Sequence, residues 1–167
     1  QVTLPDNTEI TYGVDAAGRR SWRAVGGTVT NRYLYSGPRL VAEVDGDGIV
    51  LSRYVYASKG HSPDLLIRGS SVYRIVTDHL GSVRYVVDTS DGSIEQEMRY
   101  DTWGNVTVDE VEDGFARVPF GFAGGLFDPA TGLVRFGARD YDAVTRRWTA
   151  KDPIRFGGGD TLLYGYC

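Results

Sequence analysis

Tyr12, Tyr33 and Tyr54 stand 21 residues apart, and Tyr73 follows 19 residues later. A period near twenty is too short for a self-sufficient domain, so it predicts an array of hairpins in which each unit covers its neighbour's apolar face. The residues around these tyrosines agree. Glu9-Ile10-Thr11-Tyr12, Asn31-Arg32-Tyr33-Leu34-Tyr35, Arg53-Tyr54-Val55-Tyr56 and Ser71-Val72-Tyr73-Arg74-Ile75-Val76 are dense in β-formers. The apolar and polar alternation from Ser71 to Ile75 is that of a strand with one buried and one wet face. Periodic tyrosines in strands pack the ring and leave the hydroxyl at the rim. That reading is favoured over a row of exposed rings forming a sugar-binding platform.

With 22 glycines among 167 residues and only 6 prolines, the chain is rich in turn-makers and reads as all-β. Asp45-Gly46-Asp47-Gly48, Asp91-Gly92 and Asp113-Gly114 are hairpin signals in which glycine accepts the positive φ of tight primed turns. Each is expected to join an antiparallel pair. The first could be imagined as a calcium loop, but Tyr56 stands at loop position twelve, where an acidic ligand is needed. Only Gly137 to Arg146 has any prospect of a helical turn, and its Asp and Thr content suits a turn between strands equally. After Pro119 aromatic and glycine residues become dense, which marks a second subregion.

A net charge of -4 argues against a basic nucleic-acid platform. The single cysteine, Cys167, rules out an internal disulfide framework and a cysteine-based metal cluster. His61 and His79 lie apart with no evident third ligand, so no metal and no cofactor is expected; His79 is read as holding the Asp78 to Ser82 turn. Gly81-Ser82 lacks the pattern of a nucleophile elbow. No Lys followed by Ser or Thr comes after Gly157-Gly158-Gly159, as a phosphate loop would require. No run of about 18 apolar residues exists, so no membrane-spanning helix is expected. The start, Gln1-Val2-Thr3-Leu4-Pro5, lacks both an initiator methionine and the regions of a signal peptide, and the chain is expected to be cut from a longer protein. An incomplete ribbon with open edges is expected to self-associate in isolation.

Ile10-Thr11-Tyr12-Gly13-Val14-Asp15-Ala16-Ala17-Gly18-Arg19 resembles a repeat unit of the Rhs/YD-repeat family. More specific are Thr77-Asp78-His79-Leu80-Gly81-Ser82-Val83-Arg84 and Arg99-Tyr100-Asp101-Thr102-Trp103-Gly104-Asn105-Val106, which are similar to two signatures of the repeat-to-core transition. Gly121-Phe122-Ala123-Gly124-Gly125-Leu126-Phe127-Asp128, Thr131-Gly132-Leu133, Arg139-Asp140-Tyr141-Asp142, Arg147-Trp148 and Asp152-Pro153-Ile154 then resemble the Rhs-associated core. The chain accordingly divides into repeat hairpins over 1–72 and a core over 73–167, truncated at its C-terminal end. The resemblance implies an all-β fold: a curved antiparallel hairpin ribbon, part of a β-cocoon shell, ending in an irregular core that curls inward and plugs one end.

It also implies chemistry. In this family the arginine and aspartate of one core motif and the aspartate of the next are associated with autocleavage downstream, which points to Arg139, Asp140 and Asp152, with the cut at or beyond Cys167. Two carboxyl groups brought within about 3 Å share one proton, so that one activates water and the other protonates the scissile carbonyl. Arg139 would orient a carboxylate or pair with Asp142. Arg155 replaces the glycine commoner at its place in the motif, and Asp128, also followed by proline, is the reserve carboxylate. The resemblance further implies partners, namely a C-terminal toxin cargo, the remaining shell repeats of the same polypeptide and a delivery protein, and a secreted or cell-surface location. The competing reading is an extracellular adhesion or glycan-binding YD-repeat module with no enzymatic activity.

Overall fold

The computed structural model describes residues 1–151 and 163–166. Its first eleven strands are β1 (Val2–Thr3), β2 (Glu9–Val14), β3 (Arg20–Val25), β4 (Thr28–Ser36), β5 (Arg39–Val44), β6 (Val50–Val55), β7 (Leu65–Arg68), β8 (Ser71–Thr77), β9 (Val83–Asp88), β10 (Ile94–Tyr100) and β11 (Val106–Val111). They form one antiparallel sheet whose spatial order is the chain order, a hairpin ribbon with no crossover. The ladder runs unbroken across residue 72, where β7 pairs with β8 from Leu65↔Arg74 to Arg68↔Ser71.

Four of the turns share one construction, beginning at Asp15, Asp45, Asp78 and Asp101. In each, the aspartate Oδ1 accepts the backbone N–H groups of the second and fourth residues after it, at 2.8 to 3.0 Å. The third residue after it, Gly18, Gly48, Gly81 or Gly104, returns its N–H to the aspartate carbonyl. These glycines hold φ of 77°, 90°, 88° and 88°. Such a turn, closed by a left-handed glycine, is a three-residue hairpin loop that adds a bulge and bends the strand, and at Asp45 to Gly48 it stands in place of the tight primed turn expected from the sequence. The ladder indeed shifts register beside each one, at Gly13/Val14, Glu43/Val44, Val76/Thr77 and Arg99/Tyr100. Gly46 serves a different purpose from Gly48: a Cβ there would lie 2.5 Å from the Val29 carbonyl oxygen. Asp78, not His79, holds its turn, and His61 reaches the same loop through Nε2 and the Leu80 carbonyl at 3.1 Å.

Asp113-Gly114 does not make a hairpin. The chain leaves the sheet there, turning through the Phe115 N–H to Glu112 carbonyl bond, and folds back across the ribbon. A second antiparallel sheet follows, with β12 (Leu126–Asp128), β13 (Leu133–Phe136), β14 (Arg139–Asp142) and β15 (Arg147–Trp148) in order. The stretch with helical prospects is thus a strand and a turn, the latter capped by Asp142, which accepts the Val144 N–H at 2.9 Å and the Thr145 hydroxyl at 2.8 Å.

The periodic tyrosines explain how this plug seats. Tyr12, Tyr33, Tyr54 and Tyr73 fall on β2, β4, β6 and β8, every second strand of a ladder two strands per repeat. All of them meet or underlie the folded-back segment. Tyr54 lies edge-on to Phe120 with centroids 4.9 Å apart, and Tyr73 meets Phe115 at 5.2 Å. Tyr33 and Tyr54 are buried with Leu40, Leu66, Ile75, Val83 and Val86 beneath Val118, Phe120 and Leu126. The tyrosine row is therefore a covered core face and not an exposed platform. A second pair at the same spacing, Tyr35 and Tyr56, ties neighbouring strands, donating to the carbonyls of Arg20 (2.9 Å) and Leu40 (2.8 Å). The plug has its own aromatic core, in which Phe122, Val134 and Tyr141 pack with Phe136, Trp148 and Tyr166.

Candidate functional site

Two carboxylates of the plug sheet point at the ribbon. Asp128 ends β12, and Asp140 lies on β14 opposite Arg135 of β13. Asp140 Oδ1 accepts from Arg20 Nη2 at 3.1 Å and Oδ2 from Arg135 Nη1 at 2.8 Å. Its main-chain carbonyl accepts both the N–H (2.9 Å) and the hydroxyl (3.1 Å) of Thr149. Arg139, its neighbour, stacks over the Trp148 ring at 4.1 Å, as alternation along a strand requires of adjacent residues.

Asp128 is the more enclosed group, 2% exposed. Arg23 Nε and the Tyr12 hydroxyl both donate to Oδ2 at 2.7 Å, and Arg23 Nη2 and the Ala130 N–H to Oδ1 at 3.3 and 3.0 Å. Burial pushes this carboxyl up, but the Arg23 and Tyr12 hydrogen bonds outweigh it and leave it below the ordinary carboxylate value. Burial in turn pushes the Tyr12 phenol up to about 12, with the Asp128 charge adding to the effect.

Tyr12 links the two carboxylates. Its hydroxyl sits on Asp128 while its ring lies 3.9 Å beneath the guanidinium of Arg20, which holds Asp140. Arg20 is itself 2% exposed, so its charge is compensated by Asp140 and the ring face. Tyr12, Arg20 and Arg23 are residues that sequence reasoning missed as site members. Only the periodicity of Tyr12 hinted at any of them, because their partners lie more than 100 positions away.

A cleft of about 190 Å³ beside Asp128 is lined also by Arg23, Tyr33, Glu43, Arg117 and Phe127. Glu43 is the second carboxyl missed from sequence. It is buried, accepts from the Tyr54 hydroxyl at 2.5 Å and from Asn31 Nδ2 at 3.4 Å, and is pushed up by burial. The cleft thus carries one carboxyl driven up by burial and one held down by its hydrogen bonds.

Asp152, Arg155 and Cys167, named from sequence, lie outside the described residues. Among the rest, the structure seats Asp128 on β2 and β3 and Asp140 on β3 of the ribbon. Ser82 is fully buried and accepts the Ala123 N–H through its hydroxyl at 3.0 Å, a structural role at the ribbon-plug seam.

An eleven-strand hairpin ribbon with a folded-back four-strand sheet seated on its tyrosine face defines a segment of a β-shell protein. The Teneurin YD-shell family matches residues 1–157, and the chain belongs to that Teneurin/Rhs shell family. It is 32% identical over 159 residues to the tRNA3(Ser)-specific nuclease WapA of Bacillus spizizenii, a match covering 94% of this chain and 7% of that protein. Teneurin-3 of Mus musculus is 34% identical over 97 residues, 58% of this chain and 4% of the teneurin. Among solved structures, that of TcdB2-TccC3-TEV aligns with 95% of this chain and 8% of its own at a TM-score of 0.67 and 19% identity. The Tc holotoxin pore of Photorhabdus luminescens aligns at 0.60 and 18%, covering 93% of this chain and 8% of its own. The likeness in fold is therefore to the shell of a Tc toxin, and the chain spans less than a tenth of each of these proteins.

Proposed function

We propose that this chain closes one end of the shell of a secreted or cell-surface polymorphic-toxin protein, enclosing a C-terminal effector, and that it cuts its own polypeptide at or beyond Cys167. The observation that carries the reading is the seating of the plug carboxylates on ribbon arginines. A plug that served only as a lid could rest on the apolar contacts around Phe120 alone, whereas buried ion pairs add desolvation cost and little net stability. Their presence favours a functional use.

In this reading Asp152 acts with one carboxylate of the plug sheet, Asp140 or Asp128. The ionised member takes a proton from water as its oxygen attacks the scissile carbonyl carbon, and the protonated member gives its proton to the carbonyl oxygen. Collapse of the tetrahedral intermediate breaks the C–N bond, with a proton passing to the departing amine. Asp128, which the Arg23 and Tyr12 hydrogen bonds hold below the ordinary carboxylate value, would be the ionised member of its pair. Asp140 is supported by its neighbourhood: Thr149, bound to its carbonyl, precedes Asp152 by three residues. A tethered target has a high effective concentration, so one turnover needs only modest groups.

The test is the intact mass of a chain extended beyond Cys167 with its native sequence, beside Asp128→Asn, Asp140→Asn and Asp152→Asn. A break in the parent lost in Asp152→Asn and in one of the other two establishes the pair. A single uncut mass in all four leaves a shell or adhesion module and removes the enzymatic reading.

A further inference from the structure

We infer that Tyr12, Arg20 and Arg23 of the ribbon are positioning residues for the plug carboxylates, so that self-cleavage waits until the plug has docked on β2 and β3. The inference rests on the self-cleavage reading and adds its regulation.

The argument is one of where the partners come from. Asp128 and Asp140 belong to a small sheet of four strands, where Arg135 on the same sheet is a local charged partner of Asp140. The others arrive from the far end of the ribbon: Arg23 to Asp128, Tyr12 to Asp128, Arg20 to Asp140, at 2.7, 2.7 and 3.1 Å. Arg23 and Tyr12 thus reach Asp128 across the seam between the two sheets. There Asp128 is buried and fixed by a two-nitrogen contact with Arg23, an orientation lysine cannot reproduce. Arg135 Nη2 reinforces the same seam by donating to the Gly18 carbonyl at 2.5 Å. Docking thus buries the carboxylate and supplies the groups that keep it ionised in a single event. Cutting before closure would release an effector from an open shell; a site completed by the closed seam orders the two events.

The titratable and charged groups around Asp128 are Tyr12 on β2, Arg23 on β3, Tyr33 on β4, Glu43 on β5 and Arg117 after β11. Removal of Arg23 or of the Tyr12 hydroxyl leaves burial less opposed, so the Asp128 carboxyl rises and its ionised form is lost at higher pH. A merely structural bond would not move the pH profile in that way.

The experiment uses the extended chain and follows the cleaved fraction by intact mass from pH 4 to 8, alongside a far-ultraviolet circular dichroism melt of each variant. Tyr12→Phe keeps the ring beneath Arg20 and removes only the hydroxyl, which secures a folded variant should Arg23→Ala fail to fold. The expected result is slowing by tenfold or more in Arg23→Ala, partial rescue in Arg23→Lys, and an acid limb moved to higher pH in both Tyr12→Phe and Arg23→Lys. Folded variants that cleave at the parent rate with an unmoved limb overturn the inference and leave the self-cleavage reading standing. A parent chain that stays uncut across the range overturns both.

Discussion

Arg23 and Asp128 are 105 positions apart in the chain and 2.7 Å apart in the fold. This ion pair, with the Tyr12 hydroxyl beside it, ties the start of the ribbon to the plug, and its two members are 18% and 2% exposed. A charge so enclosed depends on its partner. Arg23→Ala is expected to destabilise the fold by about 3 kcal/mol, since removal of one member of a buried pair strands the other. Urea unfolding measures it, and a loss below about 1 kcal/mol would show that solvent reaches Asp128 freely.

Acid should weaken the fold through two aspartates. The Asp64 carboxyl is lowered to about 2, chiefly by the Ser58 hydroxyl and then by the Ser58 and Ala57 N–H groups, and Asp128 is lowered as well. Groups depressed in the folded state contribute stability above the unfolded value near 3.9, and lose it as pH falls through the folded value. The urea midpoint is expected to drop between pH 5 and pH 2, with a smaller drop in Asp64→Asn. A midpoint flat over that range contradicts the assignment.

Two glycines with the same backbone conformation should respond differently to a methyl group. Gly92 (φ 81°) has open space where a Cβ would stand, whereas at Gly104 (φ 88°) a Cβ would lie 2.5 Å from the Phe122 ring. Gly92→Ala is expected to cost about 1 kcal/mol, the strain of a left-handed alanine. Gly104→Ala should cost about 3 kcal/mol, because overpacking adds to that strain. Equal shifts in melting temperature would refute the close approach of this turn to the plug.

At the cleft beside Asp128, Glu43 accepts from Tyr54. Because burial pushes Glu43 up, Glu43→Gln is expected to be neutral or mildly stabilising: it removes a desolvated charge and keeps an acceptor for the phenol. Tyr54→Phe deprives the buried carboxyl of the shorter of its two hydrogen bonds and should cost about 1–3 kcal/mol. A reversed order in paired thermal melts would mean that the charge of Glu43 is needed.

Strand identity, the two-strand repeat and the antiparallel hairpins were legible in the chain because each is local. Alternation decides which face a residue takes, and an Asp followed three residues later by Gly folds its own turn through bonds two and four residues long. The core motifs pointed to Asp140, with Asp128 in reserve, while the ribbon itself runs past residue 72 to Val111. What only the tertiary structure decided is what those carboxylates meet. Asp113-Gly114 looks like the other turns, yet it releases the chain because the strand that would follow it is used to cross the ribbon instead. Arg20 and Arg23 look like any arginines in an exposed strand until that crossing lands on β2 and β3. Local bonds can be read along the sequence because their partners are within a few positions. An ion pair across more than 100 positions depends on the summed bend of every intervening hairpin, which no single segment encodes.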